Sequence, residues 1–188
     1  ASYRRQRQMC IRDRFKEYDS ETLMSVVSEI GRLNEQEVLD SNKIGDREGL
    51  KYVTNGAEGP EVHTPERFKK LYDAVKASGY VGATMPTQYG GGGAPFTTAI
   101  LAGEIGIAAN MAFYMGPGLS HGAMKTILKK ATEELKDKYL PNMTSGEWMG
   151  TMCLTEPQCG TDLGLIKSTA IPKDCLLYTS DAADDRMR

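Results

Sequence analysis

Met152-Cys153-Leu154-Thr155-Glu156-Pro157-Gln158-Cys159-Gly160-Thr161-Asp162 is the stretch on which the fold of this chain turns. Upstream of it, apolar residues recur every three to four positions. From Gly146 onward the period changes. Glu147-Trp148-Met149-Gly150-Thr151-Met152-Cys153-Leu154 is short, apolar and aromatic and predicts a strand; Leu163 to Ile171 predicts a second one. The loop between them is dense in hydrogen-bond donors. Thr155 and Thr161 offer hydroxyls, and Gly160 lets backbone N–H groups approach a ligand closely. Composition alone favours an ordinary capped turn here.

Working outward, residues 20–39 predict a helix. Leu23, Val26, Val27, Ile30, Leu33 and Val38 fall at helical spacing, and Asp19 or Ser20 can cap it. Ser41 to Pro60 is polar, carries Gly45, Gly49, Gly56 and Gly59, and is expected to be a long loop. Thr64-Pro65-Glu66 starts the next helix, with Thr64 as cap and Pro65 in the first position. Phe68, Leu71, Tyr72 and Val75 form its apolar face, and Gly79 ends it. The glycine-rich run from Met85 to Pro95 lacks the Lys-Ser/Thr pair of a phosphate-binding loop, so it reads as a connector allowing close backbone approach.

Residues 96–112 are small and apolar and predict a buried helix. A second helix is expected after Gly116-Pro117-Gly118, with Leu119, Ala123, Ile127 and Leu128 on one face and Lys125, Lys129 and Lys130 toward its C-terminal end. Thr132 starts a short helix that Pro141 should stop after Leu140. The fold class is therefore mainly α: an all-helical domain over 15–145, then the first strands of a β domain over 146–172.

The bulk properties exclude other classes. The 188 residues are 40% hydrophobic and 26% charged, enough for a globular core. The net charge of -2 gives no electrostatic reason to expect nucleic acid or an acidic membrane as partner. No run of 18 apolar residues occurs, so no transmembrane helix is expected, and no apolar stretch follows the basic N-terminus as in a secretory signal. Cys10, Cys153, Cys159 and Cys175 form no CxxC pair and suit neither a zinc site nor a disulfide framework; Cys153 and Cys159 are expected to act as small apolar fillers, and a reducing, cytoplasmic setting is expected. Residues 1–14 carry five arginines and no amphipathic period, and 173–188 breaks off from the strand pattern; both are expected to be non-native tails resembling translated adapter sequence. Setting 1–14 aside brings the net charge to about -6.

The central loop resembles the signature of the acyl-CoA dehydrogenase family, in which a strand ends in Thr-Glu-Pro and continues through Gly-Ser/Thr-Asp. Tyr139-Leu140-Pro141, Ser145-Gly146-Glu147 and Trp148 are similar to that family's entry into its β domain, and Met85-Pro86 with Tyr89-Gly90-Gly91 to its Pro-x-x-Tyr-Gly-Gly loop. The resemblance spans roughly residues 20–172. Gly45-Asp46-Arg47-Glu48-Gly49, and Thr155-Glu156-Pro157-Gln158 with Asp162-Leu163-Gly164-Leu165, resemble the branch that includes methylmercaptopropionyl-CoA dehydrogenase.

The resemblance implies an N-terminal helical domain and the start of a truncated β-barrel middle domain. It implies FAD as cofactor, an acyl-CoA thioester as substrate, electron-transfer flavoprotein as acceptor, and a homo-oligomer at full length. The activity implied is α,β-desaturation: a glutamate takes the α-proton and the β-hydrogen leaves as hydride to the flavin. Met152, Leu154 and Thr155 would contact the flavin. Gly160 and Thr161 would lie between flavin and acyl-CoA, with Thr161 on the CoA side. Fixed donors there would stabilise the charge of the reduced flavin's pyrimidine edge. The base belongs to a C-terminal domain that this sequence does not reach, so no catalytic residue is assigned and the chain alone is expected to be inactive. Alternatives are an acyl-CoA oxidase-like flavoprotein, or a non-catalytic member of the same fold that is DNA-associated or a helical interaction module. Outside the loop, His121 is expected to be packed or at the surface, His63 solvated, Trp148 a core anchor and Glu104 a satisfied carboxylate.

Overall fold

The computed structural model describes residues 15–56, 59–173 and 176–180. The expected tail 1–14, the end of the other tail (181–188), Cys10 and Cys175 lie outside them. The chain divides into two compact units, one reaching to Thr151 and one beginning at Met152.

In the first unit, helix α1 spans Ser20–Leu33, and Asp19 caps it by accepting a hydrogen bond from the Thr22 N–H at 2.8 Å. Helical structure does not stop at residue 39. A π-helical turn, Asn34–Val38, passes directly into helix α2, Leu39–Glu48, which ends at Gly49 with φ +62°. The expected loop from Ser41 to Pro60 is therefore half helix. Gly45 lies inside α2 because the Phe68 ring packs there: a Cβ at Gly45 would stand 2.7 Å from its tip. The other half pairs as an exposed antiparallel hairpin, β1 (Lys51–Gly56) with β2 (Gly59–His63), in which Tyr52 opposes Val62 and Val53 opposes Glu61. Aromatic and β-branched residues favour that pleated pairing, which the density of polar and glycine residues conceals.

Helix α3 spans Glu66–Ala77 with Pro65 in the cap position, one residue later than expected, and Gly79 adopts the left-handed conformation that ends it. The glycine-rich connector follows. Its amides are consumed internally: Gly91 N–H donates to Pro86 O, Gly92 to Gly82 O, Gly93 to Met85 O and Ala94 to Ala83 O, each between 2.8 and 3.1 Å. A loop that spends its donors on its own backbone has none to cradle a phosphate.

Helix α4 spans Phe96–Lys130, and its break is at Asn110, not at Gly116-Pro117-Gly118. Asn110 leaves the helical region (φ -158°, ψ 92°) and its side chain supplies what the break removes. Its Oδ1 accepts the Phe113 N–H at 3.1 Å, capping the second leg, and its Nδ2 donates to Ser41 Oγ at 2.8 Å. Glycine on both sides of Pro117 does not stop the helix. α4 is not buried all round either: Ile100, Ile107, Met111 and Met115 are all more than half exposed. Among the described residues it is the one helix long and apolar enough to cross a membrane by length and composition, although no uninterrupted apolar run marks it. Its other face supplies Ala102, Ala109, Phe113, Tyr114 and Met124 to the core, which is the behaviour of a core helix.

Helix α5 spans Glu133–Thr144 with Thr132 as N-cap; Pro141 lies inside it, so the helix outlasts the expected stop by one turn. The core joins Val38, Leu71, Val75, Val81, Met85, Phe113, Met124 and Leu140. Edge-to-face contacts link Phe68 to Phe113 (5.9 Å between centroids), Phe113 to Tyr114 (5.3 Å) and Tyr114 to Tyr80 (5.8 Å).

The expected strand over 147–154 does not form, since no neighbouring strand pairs with it among the described residues. In the second unit the expected strand 163–171 is displaced. Leu163–Leu165 is a 3-10 turn capped by Asp162, and strand β3 spans Thr169–Lys173. Its antiparallel partner, β4 (Leu176–Ser180), comes from the segment expected to be a tail.

Candidate functional site

The loop that opens the second unit is closed by its own backbone. Glu156 and Cys159 exchange N–H···O bonds in both directions, at 3.0 and 3.1 Å, which makes Pro157-Gln158 the tip of a tight turn. Proline presets the backbone for that corner. Cys159 is buried, as a small filler would be, while Cys153 is exposed.

Glu156 ties this turn to the outgoing chain. One carboxylate oxygen accepts the Lys167 N–H at 2.9 Å and the other accepts the Ser168 N–H at 2.9 Å. Gln158 donates to the same carboxylate through Nε2 and also reaches Leu165 O at 3.3 Å. These donors, led by Ser168, hold the Glu156 carboxyl down to about 2 from its usual 4.5. Asp162 closes the far side by accepting the Gly164 N–H at 3.1 Å. The loop is therefore pinned at its base and at both flanks.

Against that frame the residues singled out from sequence all face outward. Met152, Leu154, Thr155, Gly160 and Thr161 are exposed. Neither the Thr155 nor the Thr161 hydroxyl has a protein partner among the described residues, and nothing lies within 4 Å of where a Cβ on Gly160 would stand. An apolar rim beside unspent donors and an open glycine suits a flat heteroaromatic ring with carbonyl acceptors on one edge, so the donor set fits an isoalloxazine. Glu156 and Gln158, the residues that hold the loop, belong to the sequence motif, which gives them no role of their own. The available signal was an acid and an amide two residues apart among backbone donors.

Other singled-out residues lie elsewhere. His63 is half exposed and pairs with Glu61 at 3.0 Å, and Glu104 is exposed. Trp148 is 44% exposed and tilted against Tyr139, so it is not the core anchor expected. His121 is half-buried, with Nε2 3.2 Å from Thr84 Oγ1; burial first, and Lys125 second, lower its pKa. No group of three potential metal ligands occurs among the described residues.

The family described as acyl-CoA dehydrogenase, N-terminal domain, matches residues 51–147. The chain belongs to that family. It is 33% identical over 160 residues to 3-methylmercaptopropionyl-CoA dehydrogenase of Ruegeria pomeroyi, covering 85% of this chain and 26% of that protein. It is 37% identical over 134 residues to a butyryl-CoA dehydrogenase of Syntrophomonas wolfei, covering 71% of this chain and 22% of that one. Among solved structures, an acyl-CoA dehydrogenase of Bacillus anthracis complexed with FAD superposes with a TM-score of 0.64 at 25% identity, over 83% of this chain and 24% of that one. The chain thus spans about a quarter of the length of the curated relatives it matches.

Proposed function

We propose that this chain is the front part of an FAD-dependent acyl-CoA dehydrogenase that desaturates a short acyl-CoA thioester between Cα and Cβ. The observation that carries this reading is the pinned loop with two unspent hydroxyls beside an open glycine. The names of the two relatives, both acting on short acyl-CoA thioesters, support the substrate class. FAD, when bound, supplies the acceptor for the hydride that leaves Cβ. Met152, Leu154 and Thr155 would contact the flavin, with the Thr155 hydroxyl facing its pyrimidine edge, and Thr161 would lie on the thioester side. None of these residues removes a proton. The α-proton goes to a base outside this chain, so the chain alone is inactive.

The full-length enzyme acts in the cytoplasm as a homo-oligomer and passes its electrons to electron-transfer flavoprotein. Thr155→Val in that enzyme removes one donor to the ring and is expected to weaken FAD binding about tenfold, the worth of one good hydrogen bond. Unchanged affinity in a flavin titration would show that the loop does not hold the cofactor.

A further inference from the structure

Asn34, Asn42, Asn110 and Asn142 precede Glu35, Lys43, Met111 and Met143, whereas Asn55 precedes Gly56. The difference is chemical. A backbone nitrogen attacks the side-chain amide of the asparagine before it only where the chain can close into an imide ring, and glycine, lacking a Cβ, offers the least obstacle. Asn55 is exposed, and the hairpin is irregular where it stands. Val53 opposes Glu61 and Gly56 opposes Gly59, so Thr54 and Asn55 together face Pro60 alone. This is a bulge, and Pro60 has no N–H to offer across it. β1 and β2 pair with no further strand among the described residues, and two strands by themselves open readily.

The facing strand brings a base to this bulge. The Glu61 side chain crosses from β2 and lies over Gly56: a Cβ on Gly56 would overlap its carboxyl carbon and Oε1. Only glycine leaves room for the acid there. The other oxygen, Oε2, stands 3.0 Å from His63 Nε2, so the imidazole holds one end of the carboxylate while the other end faces Gly56. Glu61 is only partly exposed, although both its neighbours in β2, Pro60 and Val62, are exposed. A carboxylate fixed beside a backbone amide is in the position of a general base.

We propose that Asn55-Gly56 is a self-modification site with Glu61 as its general base. The Gly56 nitrogen attacks Asn55 Cγ and an N–Cγ bond forms. Glu61 takes the Gly56 proton and returns it to Asn55 Nδ2, which leaves as ammonia when the Cγ–Nδ2 bond breaks. Water then opens the imide at one carbonyl or the other, leaving aspartate or isoaspartate at position 55. Either product sets a second carboxylate beside Glu61, and like charges on facing strands repel. Isoaspartate also lengthens the backbone of β1 and slips its register against β2. The modification therefore loosens the hairpin in which it occurs, and it does not depend on the dehydrogenase reading.

The test stores the purified full-length enzyme in neutral buffer and follows the peptide containing Asn55 by mass spectrometry, with isoaspartyl methyltransferase labelling to count isoaspartate. Conversion at Asn55 is expected to outrun that at Asn42, which is also exposed, in the same sample. Glu61→Gln keeps the shape and loses the base, and should slow conversion about three- to tenfold, a small effect for a general base because water also reaches the site. His63→Gln, which leaves Glu61 in place but frees its carboxylate, should slow it less; this variant carries the test if Glu61→Gln does not fold. Conversion at Asn55 no faster than at Asn42 overturns the site. An unslowed Glu61→Gln variant, or an unslowed His63→Gln variant where the first does not fold, overturns Glu61 as its base.

Discussion

The Glu156 carboxylate accepts the backbone N–H of Ser168 at 2.9 Å, bridging twelve positions of chain across the mouth of the candidate flavin loop. The same side chain holds Lys167 and Gln158, so one acid ties the Pro157-Gln158 turn to the outgoing chain.

Replacing that acid should loosen the loop without touching a ligand. Glu156→Gln presents an NH2 to donors that need an acceptor, and Glu156→Ala leaves the Lys167 and Ser168 N–H groups unpaired. In the full-length enzyme both are expected to weaken FAD binding tenfold or more. Gln158→Ala, which removes one donor and strands no charge, should have a smaller effect. Flavin fluorescence titration checks the order.

The acid limit of the loop follows from the same contacts. The folded pKa of Glu156, about 2, lies below its usual 4.5. The carboxylate therefore stabilises the loop fully above about 4.5, and that contribution disappears as pH falls through 2. Hydrogen exchange of the Ser168 amide should accelerate, relative to the intrinsic rate, between those two values and not above them. Full protection retained at pH 2 would contradict the bond.

Asn110 is the hinge on which α4 turns, and Asn110→Ala removes both a cap and a buried bond to Ser41. The expected loss is about 2 kcal/mol of unfolding free energy, read from the urea midpoint. Asn110→Asp keeps the capping oxygen but brings a charge to a position 1% exposed, and should lose at least as much.

Much of this was legible in sequence, and the failures have physical causes. Asp19, Thr132 and Gly79 were readable as helix boundaries because each acts through its own local chemistry. The break in α4 was misplaced because the bond that makes Asn110 a hinge reaches Ser41, 69 positions away, whereas Gly116-Pro117-Gly118 is a strong local signal that packing overrides. The stretch 147–154 has strand composition but no strand beside it among the described residues, and composition cannot supply a partner. In the candidate loop, the motif singles out residues that the structure leaves exposed, while the role of Glu156 is hidden from sequence because it lies in bonds to residues 167 and 168.

Gly91 shows how tightly the connector is drawn. A Cβ there would stand 2.1 Å from the Met85 carbonyl oxygen, a backbone atom that cannot swing aside. Gly91→Ala is expected to cost about 1–3 kcal/mol, seen as a lowered thermal midpoint. Gly103→Ala, inside α4 and facing open space, should cost nothing and gain helix propensity. Equal losses at the two positions would contradict the packing described.

The most direct test of the dehydrogenase reading is anaerobic mixing of the purified full-length enzyme with 3-methylmercaptopropionyl-CoA or butyryl-CoA while the visible absorption band of the flavin is followed. A yellow protein whose band bleaches as the acyl-CoA is desaturated is expected. A colourless protein, or a yellow one whose band is unchanged by either thioester, would contradict it.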